Sequence, residues 1–249
     1  EDDSLIRRGR PALHRQVGMP VALNVGDGLH VHMWQHLLES GLPAGVTAEF
    51  LSTIARTARG QHLDLSWVAA GRFDVSAEEY LEMVRLKTAW YTVVTPLRLG
   101  ALTGNLEPDA AFTEAGLQLG AAFQIRDDVL NLTSTDAAAG GYGKEQAGDL
   151  VEAKRTLILA HFFRTAAPNI RAEAEERLAR PLAERTADDV SWLLRQLKGT
   201  SSIRFAQEEA RALAAAGLTR LEPALERLPG TEAAGELRRL LAAAAERNR

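Results

Sequence analysis

Apolar positions recur at three- and four-residue spacing through residues 21–38, 50–68, 80–102, 111–132, 157–163, 190–197 and 203–213, the period of a helix that buries one face. The alternating Val, Ile and Thr runs that mark strands do not occur. Glycine and proline fall mostly between the periodic segments, at Gly41-Leu42-Pro43, Gly71, Gly104, Pro168, Gly199 and Pro229-Gly230, while Thr47, Ser76, Asp188 and Thr200 stand where helix N-caps are expected. This pattern predicts an all-α protein, a single domain over residues 1–249 with no linker dividing it. Segments before about Leu132 carry long apolar surfaces and few charges, as buried helices do. Those after Ala167 are rich in Glu, Arg and Ala, as surface helices are. The chemistry is therefore expected in the first two-thirds of the chain.

Polar residues inside the apolar segments narrow this further. In Phe123-Gln124-Ile125-Arg126-Asp127-Asp128-Val129-Leu130-Asn131-Leu132, the residues Gln124, Asp127, Asp128 and Asn131 lie three and four apart and share one stripe of a helix that is otherwise apolar. Adjacent carboxylates in such surroundings are unfavourable unless a cation meets them. Either arginines in a structural network or a hard cation such as Mg²⁺, which takes oxygen ligands and leaves room for substrate phosphates, would serve. Lys87, Thr88, Tyr91, Thr92 and Thr95 form a second stripe beside Leu86, Trp90, Val93 and Val94, and Gln61 and Asp64 stand three apart in another apolar segment. The connection from Thr133 to Gly148 carries four glycines and no periodicity, and Lys144, Asp149, Lys154 and Arg155 stand at or near its end. A loop of that kind is functional or disordered, and its lysines suit a polyanion such as diphosphate. The chain opens on Asp2 and Asp3, followed by Arg7-Arg8-Gly9. Carboxylates together with several cations in a helical cavity point to a metal-bridged, phosphorylated ligand.

Composition removes other classes. The 29 Lys and Arg against 33 Asp and Glu give a net charge of −4, with no long basic block, which argues against a nucleic-acid partner. No cysteine is present, so disulfides and thiolate metal sites are excluded. No apolar run reaches the roughly 18 residues that would span a bilayer. A di-iron bundle needs Glu-x-x-His pairs, and the residues three before the histidines are Pro11, Asp27, Leu29, Met33, Arg59 and Ile158.

At these residues the sequence resembles the trans-isoprenyl diphosphate synthase (polyprenyl synthetase) family, and its geranylgeranyl-type members in particular. Residues 123–132 look like the family's second aspartate-rich motif in its D-D-x-x-N form. Asp2 matches the last aspartate of the first such motif. Arg7-Arg8-Gly9-x-Pro11-x-x-His14, Asn24-x-Gly26-Asp27, Gly60-Gln61-x-x-Asp64, Lys87-Thr88 and Lys144…Gly148-Asp149-Leu150-x-Glu152-x-Lys154-x-Thr156 follow in the family's order. The resemblance implies a bundle of mostly antiparallel helices around a deep cavity, and condensation of isopentenyl diphosphate with an allylic diphosphate. It implies Mg²⁺, usually three ions per site, held by Asp2, Asp127 and Asp128. Lys87, Lys144 and Lys154, with Gln124 beside them, would bind the allylic diphosphate; Arg7, Arg8 and His14 would lie near the isopentenyl diphosphate; Thr88 and Gln61 would stabilise the allylic cation. The loop of residues 133–148 would be a lid, and a cytoplasmic homodimer is implied. Family members open with further helices, the leading aspartates and a Gly-Lys…Arg, none of which is in this chain; the expectation is that the protein carries them ahead of Glu1. Asn131 and the block from Gly60 to Trp67 lean toward a C20 product. A terpene cyclase of the same fold and a non-catalytic subunit of a heteromeric synthase are the alternatives. The lysines argue against the first and the intact second motif against the other.

Overall fold

The computed structural model describes residues 6–7, 9–133, 147–228 and 230–246. It opens with a minimal antiparallel pairing of β1 (Ile6–Arg7) with β2 (Arg10–Pro11), a turn that helical periodicity cannot reveal. Among the described residues, every later element is helical: α1 (Leu13–Val17), α2 (Met19–Glu39), α3 (Ala44–Ala69), α4 (Ala77–Val84), a π-helical segment (Arg85–Val94), α5 (Thr95–Thr103), α6 (Ala110–Thr133), α7 (Gly148–Val151), α8 (Leu157–Thr165), α9 (Pro168–Ala179), a 3₁₀ turn (Leu182–Glu184), α10 (Ala187–Lys198), α11 (Ser202–Glu226) and α12 (Thr231–Glu246). The all-α expectation therefore holds.

The centre of the bundle is α6, which packs on the π-helical segment on one side and on α11 on the other. Small residues allow both approaches. Ala115, Gly116, Gly120, Ala121 and Ala122 are fully or nearly fully buried along α6, and a Cβ built on Gly120 would collide with the Ala89 backbone. From α11, Gly217 faces Leu119 with no room for a side chain, the nearest atom lying 2.8 Å from where its Cβ would be. Two apolar clusters flank this axis. One joins Trp67, Tyr80, Ile125, Leu157 and Phe162; the other joins Val93, Leu97, Phe112, Leu119, Leu221 and Leu225.

Local signals set most boundaries. Ser76 accepts from the Glu79 amide at 3.1 Å and Glu79 answers on the Ser76 amide at 2.9 Å, a capping box that starts α4. The caps differ from expectation elsewhere. Thr47 lies inside α3, whose N-cap is Pro43. The box that starts α10 is Thr186 with Asp189, which leaves Asp188 in the first turn, and Ser201 rather than Thr200 precedes α11. The expected burial of α2 is also not met. Val21, Leu23, Val25, Leu29 and Val31 are exposed and only Leu37 is buried, because no described element covers that face.

Candidate active-site cavity

Helices α3, α4 and α6, the π-helical segment and the α7–α8 connection enclose a cavity of about 380 Å³. Its lining includes Asp64, Tyr80, Lys87, Thr88, Gln124, Asp127, Asp128, Asp149, Lys154 and Arg155, all within the first two-thirds of the chain. The structure thus brings together Lys87, Thr88, Gln124, Asp127, Asp128 and Lys154 from the expected site. Gln61 lies on α3 one turn before Asp64, and His14 lies on α1; neither is among the residues lining this cavity. Asp2, Arg8 and Lys144 fall outside the described residues, as do most of the expected lid and the side chain of Arg7.

The π-helical segment presents the first wall. A π turn inserted in a long helix shifts the register of side chains around it and is often found at functional sites. Here it carries Lys87 and Thr88 inward between α3 and α6. Gly60 of α3 makes the approach possible, since a Cβ there would overlap the Lys87 backbone nitrogen. Lys87 Nζ lies 2.5 Å from Asp64 Oδ2.

The opposite wall is α6. Thr88 Oγ1 donates to Gln124 Oε1 at 3.0 Å, Gln124 Nε2 donates to Asp128 Oδ1 at 2.7 Å, and Tyr80 Oη donates to Asp128 Oδ2 at 2.6 Å. Asp128 is only 5% exposed. Burial and the nearby Asp149 charge push its carboxyl up to about 8, against the opposing pull of the two hydrogen bonds. Burial and its contact with Asp128 hold the Tyr80 phenol well above its ordinary value.

The third wall follows the glycine-rich connection. Asn131 anchors its end: its carbonyl accepts from the Ala147 amide at 2.8 Å and its side-chain oxygen from the Asp149 amide at 3.2 Å. Ala147 and Ala153 both adopt left-handed backbone conformations, with φ of 58° and 54°. They bracket the short turn that delivers Asp149, Glu152 and Lys154. Lys154 Nζ lies 2.7 Å from Glu152 and 3.3 Å from Asp149. Arg155, 3% exposed, donates to the carbonyls of Arg72 and Ala153 and stacks over Phe73 at 4.3 Å. Burial and the facing Arg185 bring its guanidinium down to about 10.

The donor set suits a hard divalent cation in one respect: its ligands would be carboxylate oxygens. No group of three or more His, Cys, Asp or Glu among the described residues forms a ready-made cage. Sequence reasoning did not single out Tyr80, which reads as one more apolar position. The signal was available, because a buried tyrosine needs a partner for its hydroxyl.

A model of the polyprenyl synthetase family matches residues 1–197, and the chain belongs to that family. It is 35% identical over 226 residues to a geranylfarnesyl diphosphate synthase of Natronomonas pharaonis, covering 89% of this chain and 62% of that protein. It is 32% identical over 166 residues to a geranylgeranyl diphosphate synthase of Saccharolobus solfataricus, covering 64% and 48%. The chain thus spans between 48% and 62% of the length of these relatives. A polyprenyl synthase of Caulobacter crescentus complexed with calcium and isoprenyl diphosphate superposes with a TM-score of 0.83 at 26% identity, over 100% of this chain and 72% of that one. A geranylgeranyl pyrophosphate synthase of Corynebacterium glutamicum complexed with isoprenyl diphosphate and magnesium gives 0.83 at 26% identity, over 99% and 73%. No helix among the described residues is long and apolar enough to cross a membrane.

Proposed function

We propose that the protein is an Mg²⁺-dependent trans-prenyltransferase that condenses isopentenyl diphosphate with an allylic diphosphate. The observation that carries this reading is the cavity in which Lys87 and Thr88 face Gln124 and Asp127, with Lys154 closing the third side. Lys87 and Lys154 bind the allylic diphosphate by exchanging their carboxylate partners for phosphate oxygens, and Lys144 is a third cation for it. Asp127 is the residue of this cavity best suited to hold Mg²⁺, with Asp2 from the first motif as a further ligand, while Asp128 has both oxygens hydrogen-bonded to Tyr80 and Gln124; three ions per site is the family's habit. Bound there, the metal supplies charge neutralisation for a departing diphosphate. The allylic C–O bond breaks with its electron pair going to diphosphate. Thr88, which lines the cavity, and Gln61, one turn before Asp64 on α3, are the groups whose oxygens would stabilise the developing cation, and exclusion of water from the cavity keeps it from being quenched. The isopentenyl double bond, oriented by Arg7, Arg8 and His14, then forms the new C–C bond, and diphosphate takes the proton that is lost.

The product is proposed to be C20, with the C25 chain named for the Natronomonas relative as the competing length. We read residues 1–249 as one domain of a cytoplasmic homodimer. Purified protein incubated with Mg²⁺, labelled isopentenyl diphosphate and each allylic primer in turn tests the activity and the length together. Release of hydrocarbon without consumption of isopentenyl diphosphate would indicate a cyclase. Asp127→Ala should lower turnover by on the order of a hundredfold or more with the melting temperature unchanged or raised, since an acid deprived of its metal is a liability in the folded state. Normal turnover with a lowered melting temperature would assign Asp127 to structure.

A further inference from the structure

On the basis of that reading, we infer that Tyr80 is a positioning residue: through Asp128 and Gln124 it fixes the direction of the Thr88 hydroxyl, and Asp128 serves this relay instead of holding a metal. Tyr80 Oη reaches Asp128 Oδ2 at 2.6 Å and Gln124 Nε2 reaches Asp128 Oδ1 at 2.7 Å, so both carboxylate oxygens are engaged inside the protein. Asp128 accepts on both oxygens, from Tyr80 on one and from Gln124 on the other, and the end of the Gln124 amide that faces it is the NH₂. The amide oxygen is then turned to Thr88, 3.0 Å away. An amide oxygen also only accepts, so the Thr88 hydroxyl must donate its hydrogen to Gln124. Its lone pairs are left for the cavity, where an electron-poor carbon would meet them.

Tyr80 and Asp128 are 1% and 5% exposed, so water cannot replace either partner without opening the core. Asp127 and Asp128, although adjacent, project about 100° apart around α6, and Asp128 is directed toward α4. Turning it to a metal would break both of its hydrogen bonds.

Tyr80→Phe keeps the ring and removes the one donor. The expected result is a loss of roughly tenfold in kcat, with KM for the allylic diphosphate changed by less than about twofold. In a Thr88→Val background, where there is no hydroxyl to direct, Tyr80→Phe should cost less than about twofold more. Equal losses in both backgrounds would show a packing role and overturn the inference. The cycle is repeated with Asp128→Asn in place of Tyr80→Phe, so loss of fold in one variant leaves the other to decide.

Two readouts do not depend on turnover. Mn²⁺ bound in the presence of inorganic diphosphate, followed by electron paramagnetic resonance, should fall in Asp127→Asn and persist in Asp128→Asn; equal loss in both overturns the inference. The Gln124 side-chain amide resonance, assigned by its disappearance in Gln124→Leu, should move in Tyr80→Phe, and an unmoved resonance overturns it too. A parent protein that consumes no allylic diphosphate refutes the functional reading of the preceding section, while these two measurements still decide the relay.

Discussion

A missing methyl group decides where Lys87 can stand. Gly60 lets α3 lie against the π-helical segment so closely that a side chain would overlap the Lys87 nitrogen, Cα and Cβ. Backbone cannot yield as the end of a flexible side chain can, so Gly60→Ala should destabilise by about 1–3 kcal/mol through overpacking. It should also weaken diphosphate binding, because Lys87 is the group displaced. Thermal unfolding and a diphosphate titration on the same variant check both, and an unchanged melting temperature would contradict the close approach. The sequence marks Gly60 as part of a motif with Gln61 and Asp64 but cannot name its contact, which lies on another helix. The acidic pair shows a similar limit. Composition gives Asp127 and Asp128 the same meaning, whereas the helix turns them in different directions and one residue, Tyr80, distinguishes them. What could be read was the polar stripe in an apolar helix; the partner that gives each member its task could not.

At the scale of elements, periodicity located the long helices and missed their irregularities. Residues 80–102 read as one amphipathic run, and the chain there is α4, a π-helical segment and α5 in unbroken succession. A π turn keeps the apolar face on average while rotating a few side chains, so the pattern of hydrophobicity scarcely registers it. Three of the four expected caps lie within two residues of the observed ones and Thr47 misses by four, and the α10 start gives a pH test. Asp189 accepts from the Thr186 amide at 2.9 Å and from the Thr186 hydroxyl at 2.8 Å, and it pairs with Arg177 and Arg180. The Thr186 amide first, then the Thr186 hydroxyl and Arg180, hold its carboxyl down to about 2. That lies below the roughly 3.9 of an unfolded aspartate. The stabilisation is therefore complete above about pH 4 and is lost as pH falls from there through about 2. Asp189→Asn should lower the melting temperature by several degrees at pH 7 and leave it less sensitive to acid between pH 4 and 2. Parallel melting curves for parent and variant across that range would refute the assignment.

Across the whole molecule, the fold gathers opposite charges from distant stretches of sequence into one cavity. Asp64 comes from α3, Asp127 and Asp128 from α6, Asp149 from α7, Lys87 from the π-helical segment, and Lys154 and Arg155 from the connection into α8. With Lys87 on Asp64, and Lys154 on Asp149 and Glu152, the lysines already have counter-charges before any ligand arrives. Inorganic diphosphate entering alone would have to break those pairs and meet the carboxylates unshielded, so its net gain is small. A divalent cation alone finds no ready group of three ligands among the described residues, so its gain is small as well. Together they complement each other, because the cation screens the carboxylates from the phosphates while the phosphates complete its coordination. A ligand raises the melting temperature only by as much as it favours the folded state. The shift produced by Mg²⁺ with diphosphate should therefore exceed the sum of the shifts produced by each at the same concentrations. Lys87→Met should reduce this excess even though it leaves every carboxylate in place. Asp127→Asn should remove most of it and leave the small response to diphosphate alone. Additive shifts in the parent protein would mean that metal and phosphate occupy separate places, and the cavity would then lose its claim to be a metal-bridged diphosphate site.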